Sequence, residues 1–560
     1  MRNEESHFSV NPTNLDIGRS RFPRPFNHKT TFNVGDLIPF YWSEILPGDT
    51  VSMSTNKVLR MSTLLDPVMD NLYLDTYYFF VPMRLVWEHT KEFFGENTSG
   101  PWAPSTTYTI PQIYVPENAV DKVSVGSVAD YMGVPTGVAG ISFNALPIRA
   151  YNKVYLDWFM DQMTMSPPNI YLGDSQRQFT STLTITGGVP YKACKMHDYF
   201  SSSTPAPQRG NAVQIPIQGA GSITVGSLTA PVMGASTLHD MGNPIRIARS
   251  ASDTSYSYFK RASGAINDAV EPIFGSGSLP TGYYSNQASN LVADLSSGGT
   301  ADFTATTNMT VNDLRMAFSM QKWYEKSAMY GGRYIEMCKA QFGVTSPDAR
   351  LQRSEYLGGN RIPLNVTQVE ATTTATNQKL GSLAAYSHTS DSNNDFTHSF
   401  TEHGFLLGVC CARYKHSYPQ GLERAWQRKT MFDYYFPVFA NIGNQPVYKN
   451  EIYATGSAAT DTSVWGYQEA WADYRYHPDR TSAYMRPNVT GTLASWHYAD
   501  NYSQVPYLSE SWMVEDKTNV DRTLAVTSAS APQIIADFLC DAVYVRPMPL
   551  YSIPGLIDHH

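Results

Sequence analysis

The stretch TVSMSTNKVLRM, residues 50–61, decides the fold. Val51, Met53 and Thr55 alternate with polar residues, and an apolar residue returns at Val58. Alternation with a period of two is typical of a β-strand that buries one face. We therefore predict a strand here and take it as the reference for the rest of the chain.

Two neighbouring stretches extend this pattern. Residues 71–83, NLYLDTYYFFVPM, begin as an alternating strand and then become apolar on both sides, and residues 30–46, TTFNVGDLIPFYWSEIL, form the first strand candidate. Three strands separated by turn signals predict a β-sandwich or barrel. Further strand patterns follow at residues 403–414 (HGFLLGVCCARY), 433–441 (DYYFPVFAN) and 536–556 (ADFLCDAVYVRPMPLYSIPGL).

Two helices interrupt the strands. In residues 144–162 the apolar side chains Ile148, Tyr151, Tyr155 and Trp158 recur at helical spacing. In residues 310–330, Thr310 and Asp313 have the spacing of a capping box. Between these helices, residues 211–307 contain few charges and many Gly, Ser, Ala and Thr, so we predict an insertion with short strands.

The charge content is low. Only 16% of the residues are Asp, Glu, Lys or Arg, against roughly 25% in a typical soluble chain. Contact surfaces between proteins are poor in Lys and Glu and rich in Tyr, Trp, Phe, Met and Arg. The composition, with 36 Tyr and 21 Met, therefore indicates either a subunit that is mostly interface or a secreted, polysaccharide-degrading β protein.

No stretch approaches the length of a membrane span, and the first residues lack the apolar core of a signal peptide, so we expect a soluble chain. The five cysteines show no zinc-ligand spacing. The adjacent Cys410 and Cys411 lie in an apolar run and are predicted to be core residues.

Several groups of residues were weighed as catalytic or metal sites. In HDYFSSSTPAPQRG, residues 197–210, adjacent His197 and Asp198 cannot easily form a Ser-His-Asp triad, so we predict a capping turn and a connector. Asp558, His559 and His560 are three consecutive potential metal ligands at the end of the chain, and such ligands are rarely preorganised. Asp473 and Asp479 are an acidic pair, but the carboxylates of glycosidases follow no spacing rule in the sequence. We therefore assign no catalytic, metal or cofactor site to these residues.

Residues 18–29, GRSRFPRPFNHK, contain cations and aromatic residues but no acid. Such a segment could sit on phosphates and stack on bases of single-stranded DNA, or it could bind a neighbouring subunit. The candidate DNA contacts are Arg19, Arg21, Arg24 and Lys29. We predict that the Pro-rich carboxyl-terminal segment is an inter-subunit arm containing Arg546, Pro547, Tyr551 and Pro554.

Long blocks of the sequence resemble the major capsid proteins of microviruses, small icosahedral single-stranded-DNA bacteriophages, and in particular the gokushovirus branch. The blocks span most of the chain. They are residues 11–50, 146–162, the opening of 197–210, 331–359 (GGRYIEMCKAQFGVTSPDARLQRSEYLGG) and 546–560 (RPMPLYSIPGLIDHH).

The resemblance implies an all-β fold, an eight-stranded viral jelly roll with large insertions that contain some α-helix. The composition and the resemblance together predict an amino-terminal arm at residues 1–28, a body at 29–210 and 308–547, a variable surface insertion at 211–307 and a carboxyl-terminal arm at 548–560. The insertion occupies the place of the protrusion that this branch carries at its three-fold axes and that is proposed to contact the host.

The resemblance also implies partners and a location. The chain is expected to form pentamers and then a T=1 shell of about sixty copies around circular single-stranded DNA. A small basic DNA-binding protein, an internal scaffolding protein and a host surface receptor are the other implied partners. We expect no enzyme, no cofactor and no membrane insertion, with assembly in the bacterial cytoplasm. The alternative is a carbohydrate-active or carbohydrate-binding β-sandwich, or an adhesin.

Overall fold

The computed structural model describes residues 18–96, 107–210, 352–374 and 379–551, with shorter pieces between 221 and 343. The chain forms two compact units. One consists of Met1–Asn211 and Lys322–His560, and the other of Ala212–Gln321. From the sequence, the insertion is expected at residues 211–307. Residues 1–17 of the expected amino-terminal arm lie outside the described residues.

Eight strands of the larger unit form two four-stranded sheets. In chain order they are β1 (Ser20–Phe32), β2 (Ile38–Ile45), β3 (Thr50–Met61), β4 (Leu72–Pro82), β5 (Glu355–Pro363), β6 (Thr389–Ser399), β7 (Gly404–Tyr414) and β8 (Ile534–Arg546). The first sheet has the order β1-β8-β3-β6, and the second has the order β5-β4-β7-β2, with antiparallel neighbours throughout. This interleaving of early and late strands is that of two Greek keys, and it confirms the predicted jelly roll.

Among the residues that the structure describes, smaller strands, short helices and 3-10 turns lie outside the two sheets. The other strands of the larger unit are Gln112–Tyr114, Ser142–Asn144, Arg177–Gln178, Val366–Glu370, Leu383–Ser387, Asn444–Tyr448 and Val464–Glu469. Its short helices are Thr90–Phe93, Val128–Tyr131, Lys449–Ile452, Ala458–Asp461, Glu510–Met513 and Thr518–Asp521. Its 3-10 turns are Met83–Leu85, Thr184–Thr186, Arg424–Gln427, Met431–Asp433, Pro437–Phe439, Ala472–Tyr474, Ala483–Met485 and Ala494–Trp496.

The smaller unit contains two sheets of its own. Its strands are Gly221–Thr224, Arg246–Ala248, Tyr256–Lys260, Glu271–Phe274, Val292–Ala293 and Thr300–Phe303. The helix Val311–Met329 follows them and confirms the second predicted helix, although Thr310 of its expected capping box lies outside the described residues. In the part of the chain that the structure describes, no helix is both long enough and apolar enough to cross a bilayer.

Strands β4 and β7 bury both of their faces. In β4, Tyr78 and Phe80 belong to the core between the two sheets, whereas Phe79 and Val81 belong to a second core on the other side of the second sheet. The alternation of β7 is the same: even-numbered Leu406 and odd-numbered Leu407 lie in different cores. The runs YYFFV and FLLGVCC are therefore apolar throughout because both faces are covered.

This alternation also separates Cys410 from Cys411. Cys410 lies in the core between the sheets and Cys411 in the second core, and both are fully buried. Burial raises the pKa of both thiols, that of Cys411 to about 12. The prediction that the pair is part of the core is confirmed.

A helix supplies the other wall of the second core. Residues Leu146–Val154 form an α-helix that continues into a π-helical turn at Tyr155–Phe159, which confirms the first predicted helix. Its apolar face packs against β4 and β7 in the second core. Tyr151 is fully buried, and its hydroxyl donates a hydrogen bond to the Leu37 carbonyl at 2.7 Å.

The first strand candidate, residues 30–46, is in fact two strands. Its beginning completes β1, its end forms β2, and a tight turn separates them. Gly35 occupies this turn with a φ of 84°, and a Cβ there would lie 2.6 Å from the Glu515 carbonyl oxygen. A glycine is required for both reasons.

Residues 20–28 were expected to belong to the amino-terminal arm, but they form most of β1. Pro23 and Pro25 suggested an arm because proline cannot donate to a sheet ladder. They are accommodated because β1 is an edge strand that pairs only with β8. Backbone N–H groups two residues apart point to the same side of a strand, so both prolines leave the same side without a donor. In an edge strand, proline is tolerated on the side that faces away from the neighbouring strand.

The bounds of β3 match residues 50–61, but the predicted face of Val58 is wrong. Val58 is 40% exposed, whereas Lys57 lies on the inner face between Thr55 and Leu59 and is buried. The inner face therefore continues without interruption. The sequence pattern misled because a lysine occupies a core position.

An interior polar strip neutralises this lysine. Lys57 Nζ donates to Thr76 Oγ1 at 3.2 Å and lies 3.4 Å from Asp391 Oδ2. Asn360 Nδ2 donates to the same Asp391 oxygen at 3.0 Å. Thr55, in the same strip, donates to Asp395 Oδ2 at 2.5 Å. The strip joins β3 and β4 to the edge strands β5 and β6 and so fixes their register.

His416 anchors the loops that follow β7. Its Nδ1 lies 3.0 Å from Asp500 Oδ1 and its Nε2 lies 2.9 Å from Glu515 Oε1, and all three side chains are buried. Burial by itself lowers the pKa of His416, but attraction to the two carboxylates outweighs burial and raises the pKa to about 10. For Asp500, burial raises the pKa, but His416 holds it at about 2.

The interior polar strip generates a stability prediction. Asp391→Ala leaves the buried Lys57 ammonium without its carboxylate, and we expect a loss of about 3 kcal/mol in the free energy of unfolding. Lys57→Met should cost less, because Asp391 is partly exposed and keeps its bond from Asn360. Urea denaturation of the three proteins measures this order, and a larger loss for Lys57→Met would contradict it.

The His416 cluster generates a pH prediction. The folded pKa is raised, so the stabilisation by His416 is complete below pH 6.5 and is lost as the pH rises toward 10. His416→Gln removes it. The difference in unfolding free energy between wild type and this variant should shrink between pH 7 and pH 8.5 by about 1.4 kcal/mol per pH unit. Denaturation at several pH values checks this, and a constant difference would show that His416 does not titrate as described.

Candidate assembly surfaces

The four cations expected to contact DNA do not share one face of β1. Arg21 and Lys29 are exposed on the outer face of the first sheet. Arg24 points to the other face, where its guanidinium lies 4.9 Å from the centre of the Tyr544 ring and donates to Ser43 Oγ at 3.4 Å. Arg19 precedes the strand and is exposed. The structure therefore brings Arg21 and Lys29 to one surface and separates Arg24 from them.

The aromatic residues of the same segment lie on the same face of β1 as Arg24. Phe22 packs against the core between the sheets, and the ring of Phe26 meets the Tyr41 ring edge-on at 5.7 Å. The strand alternation thus places the aromatic side chains on the face opposite to Arg21 and Lys29. Contact with DNA stays a prediction, and any base stacking would need aromatic groups from elsewhere.

The expected carboxyl-terminal arm begins after β8. Arg546, the last residue of β8, forms an ion pair with Asp49 at 3.1 Å and donates to the Glu44 carbonyl at 2.8 Å. It is therefore a strand residue held by its own chain. Pro547 follows it, and Tyr551 is 76% exposed. Pro554 lies outside the described residues.

A large exposed aromatic surface occurs where a strand was predicted. Residues 433–441 are not a strand: the region contains the 3-10 turns Met431–Asp433 and Pro437–Phe439. We call the exposed apolar side chains of this region the aromatic surface. Its members are Trp426, Met431, Phe432, Tyr434, Tyr435, Phe436, Val438 and Ile442.

Buried and polar contacts hold the aromatic surface in place. Arg428 pairs with Asp473, and its guanidinium lies 4.3 Å from the centre of the Tyr474 ring. Trp471 Nε1 donates to the Phe439 carbonyl at 2.9 Å. Asp433 accepts bonds from the backbone N–H of residues 429 and 430, and these bonds lower its pKa. The exposed rings therefore project from a fixed backbone.

Such a surface is suited to protein contact. Monomeric proteins rarely expose large contiguous apolar patches, and contact surfaces are enriched in Trp, Tyr, Phe, Met and Arg. This surface cannot be recognised from the sequence pattern alone, because an aromatic run with apolar neighbours also resembles a buried strand. The signal that was available is Pro437, which cannot donate to a sheet ladder in the middle of the run.

The residues weighed for catalysis have structural partners. Asp198 Oδ1 accepts the backbone N–H of Phe200 and Ser201 at 2.9 and 2.7 Å, as expected of a capping turn, and His197 is exposed. Asp473 pairs with Arg428, and Asp479 pairs with Lys415 at 2.7 Å. Asp558, His559 and His560 lie outside the described residues. Within the described residues, no three His, Cys, Asp or Glu side chains gather as potential metal ligands.

Comparison with known proteins identifies the family. Residues 11–556 match the family model described as capsid protein (F protein). The chain is 36% identical to the capsid protein VP1 of Chlamydia phage 1 over 99% of this chain and 98% of the relative. It is 38% identical to the capsid protein VP1 of Bdellovibrio phage phiMH2K over the same shares of the two chains. It is 37% identical to the capsid protein VP1 of Spiroplasma virus 4 over 96% of each.

These relatives are structural capsid proteins and not enzymes, and all three are capsid proteins of gokushoviruses. The match covers both ends of the described body, from before β1 to beyond β8. The jelly roll, the exposed aromatic surface and these similarities agree, and the chain belongs to the phage capsid protein (F protein) family, as a major capsid protein of the microvirus type.

Proposed function

We propose that this capsid protein assembles, by way of pentamers, into a closed T=1 shell of about sixty copies. The aromatic surface carries the proposal. A fixed array of exposed Trp, Phe, Tyr and Met side chains is stabilised when a neighbouring copy removes it from water. The low charge content supports the same conclusion, because few exposed ionic groups then have to be desolvated on assembly.

The shell encloses circular single-stranded DNA. Of the expected contacts, Arg21 and Lys29 are the best placed, since both project from the outer face of the first sheet. The chain carries a net charge of −8, so a small basic DNA-binding protein neutralises most of the packaged phosphate. Assembly takes place in the bacterial cytoplasm with the help of an internal scaffolding protein.

Residues 211–307 form the protrusion that contacts the host receptor. The assignment is supported by the separate compact unit at Ala212–Gln321 and by the resemblance of the flanking blocks to the gokushovirus branch. An insertion on the surface of a rigid jelly roll can vary without disturbing the core, as an attachment element must.

Phe432→Glu tests the aromatic surface. The side chain is 65% exposed, so the subunit should fold normally, while a buried carboxylate in the assembled contact should lower the yield of particles at least tenfold. Electron microscopy and sedimentation of purified protein measure the yield. Val120→Glu, at a fully exposed position outside the aromatic surface, is the matched control and should assemble normally. Normal particles from Phe432→Glu would contradict the proposal.

Arg21→Ala combined with Lys29→Ala tests the DNA contact. Unassembled protein should bind a single-stranded oligonucleotide more weakly, and the slope of log affinity against log salt should fall by about 1.4, or about 0.7 per lost contact. Fluorescence anisotropy over a salt series measures both. Arg24→Ala, on the opposite face of the same strand, should leave the slope unchanged, and an equal loss for Arg24→Ala would refute the assignment.

A further inference from the structure

We infer that the Pro-rich carboxyl-terminal segment of one copy docks into an aromatic groove of a second copy. The aromatic groove is lined by Tyr199, Phe200, Tyr418, Trp426, Tyr476 and four arginines. The inference rests on the proposed assembly and names the partner of one surface within it. The occupant is residues 547–551, PMPLY.

The floor of the aromatic groove is made of packed rings. Tyr199 and Tyr476 stack with their centres 5.4 Å apart, and Phe200 meets Tyr418 edge-on at 4.7 Å. Trp426, also a member of the aromatic surface, stands at the rim and is 74% exposed. The cavity measures about 470 Å³, within the usual range for binding sites.

Three of the four arginines around the aromatic groove are paired with carboxylates. The arginines at its walls are Arg424, Arg428, Arg480 and Arg486. Arg480 donates to Glu423 at 2.6 Å, Arg428 pairs with Asp473, and Arg486 donates to the Pro419 carbonyl at 2.6 Å. An occupant therefore meets aromatic faces and guanidinium groups that are, with the exception of Arg486, neutralised by carboxylates. This chemistry suits an apolar, Pro-rich peptide and not a phosphate chain, because Pro-rich segments dock into aromatic-lined grooves.

The carboxyl-terminal segment has the matching character. Pro547 and Pro549 each fix one backbone torsion angle, so the segment loses little entropy on docking. Beyond Arg546, which is held by Asp49, the side chains of Met548, Leu550 and Tyr551 are exposed. Three large apolar side chains within four residues are thus exposed.

Distance assigns the occupant to a second copy. Arg546 lies beside Thr50 and Ser20, at the end of the sandwich where β7 begins at Gly404. The aromatic groove follows the other end of β7, since Tyr418 comes shortly after Tyr414. β7 is 11 residues long, and its ten residue steps span about 34 Å. Five residues beyond Arg546 reach about 17 Å at most, so Tyr551 cannot enter the groove of its own chain.

Site-directed cross-linking tests the inference. One population of full-length chains carries Tyr551→Cys, a second carries Trp426→Cys, and the two are assembled together and treated with a short bismaleimide. We expect a cross-linked dimer that neither population gives alone. The four described cysteines are buried, which keeps the background low.

The matched control replaces Trp426→Cys by Val120→Cys, which is exposed but lies outside the aromatic groove. A dimer yield at least ten times that of the control supports the inference. A yield no greater than the control overturns it, and so does an intrachain cross-link in unassembled chains that carry both Tyr551→Cys and Trp426→Cys. Particle formation by the unsubstituted protein is scored separately by electron microscopy, so a failure of the docking contact is distinguished from a failure of assembly.

A second measurement applies if the cysteine substitutions prevent assembly, and it uses a side chain closer to the native tyrosine. A photoreactive benzoylphenylalanine in place of Tyr551 preserves an aromatic side chain. After irradiation of particles assembled from a mixture of ¹⁴N-labelled and ¹⁵N-labelled chains, mass spectrometry identifies the attached peptide. Attachment to residues 418–428 or 474–486 of a differently labelled chain supports the inference, and attachment exclusively elsewhere overturns it.

Discussion

The whole body depends on burying both faces of β4 and β7. Each strand directs alternate side chains into two different cores, so the second sheet is covered on one side by the first sheet and on the other by the Leu146–Val154 helix and its neighbouring loops. A jelly roll alone would leave that outer face in water. Because the loops form the second core, they are fixed elements of the fold, and they carry the aromatic surface and the aromatic groove at defined positions.

Several of the chain's few ionic groups are buried and paired. Lys57 and the His416 cluster are buried, and Asp75 is buried between Arg361 and Arg413. Such groups contribute to a unique register because any slip would leave a charge unpaired in the core. The low charge content and the exposed side chains of the aromatic surface together make the exterior suited to protein contact.

Elements whose apolar residues recur with a regular period could be predicted from the sequence. Predictions failed where the type of a residue did not reveal whether its side chain is buried or exposed. Residues 50–61 gave β3 with correct bounds, since its inner face alternates regularly, but Val58 was placed inward because a buried lysine has no signature in a single sequence. Residues 433–441 were assigned to a strand because exposed and buried aromatic runs look alike. The cations of residues 18–29 are visible in the sequence, but their division between two faces became clear only from the structure of β1. The aromatic groove could not be predicted, because loops that are distant in sequence form it.

The prolines of β1 have a consequence for how copies can meet. The outward edge of this strand lacks two amide donors, so another chain cannot continue the sheet there by backbone pairing. Growth by strand addition has no natural end and produces fibrils, whereas side-chain contacts have a fixed angle and can close upon themselves. Pro23 and Pro25 thus disfavour open-ended aggregation through this edge when many copies of the chain are present together.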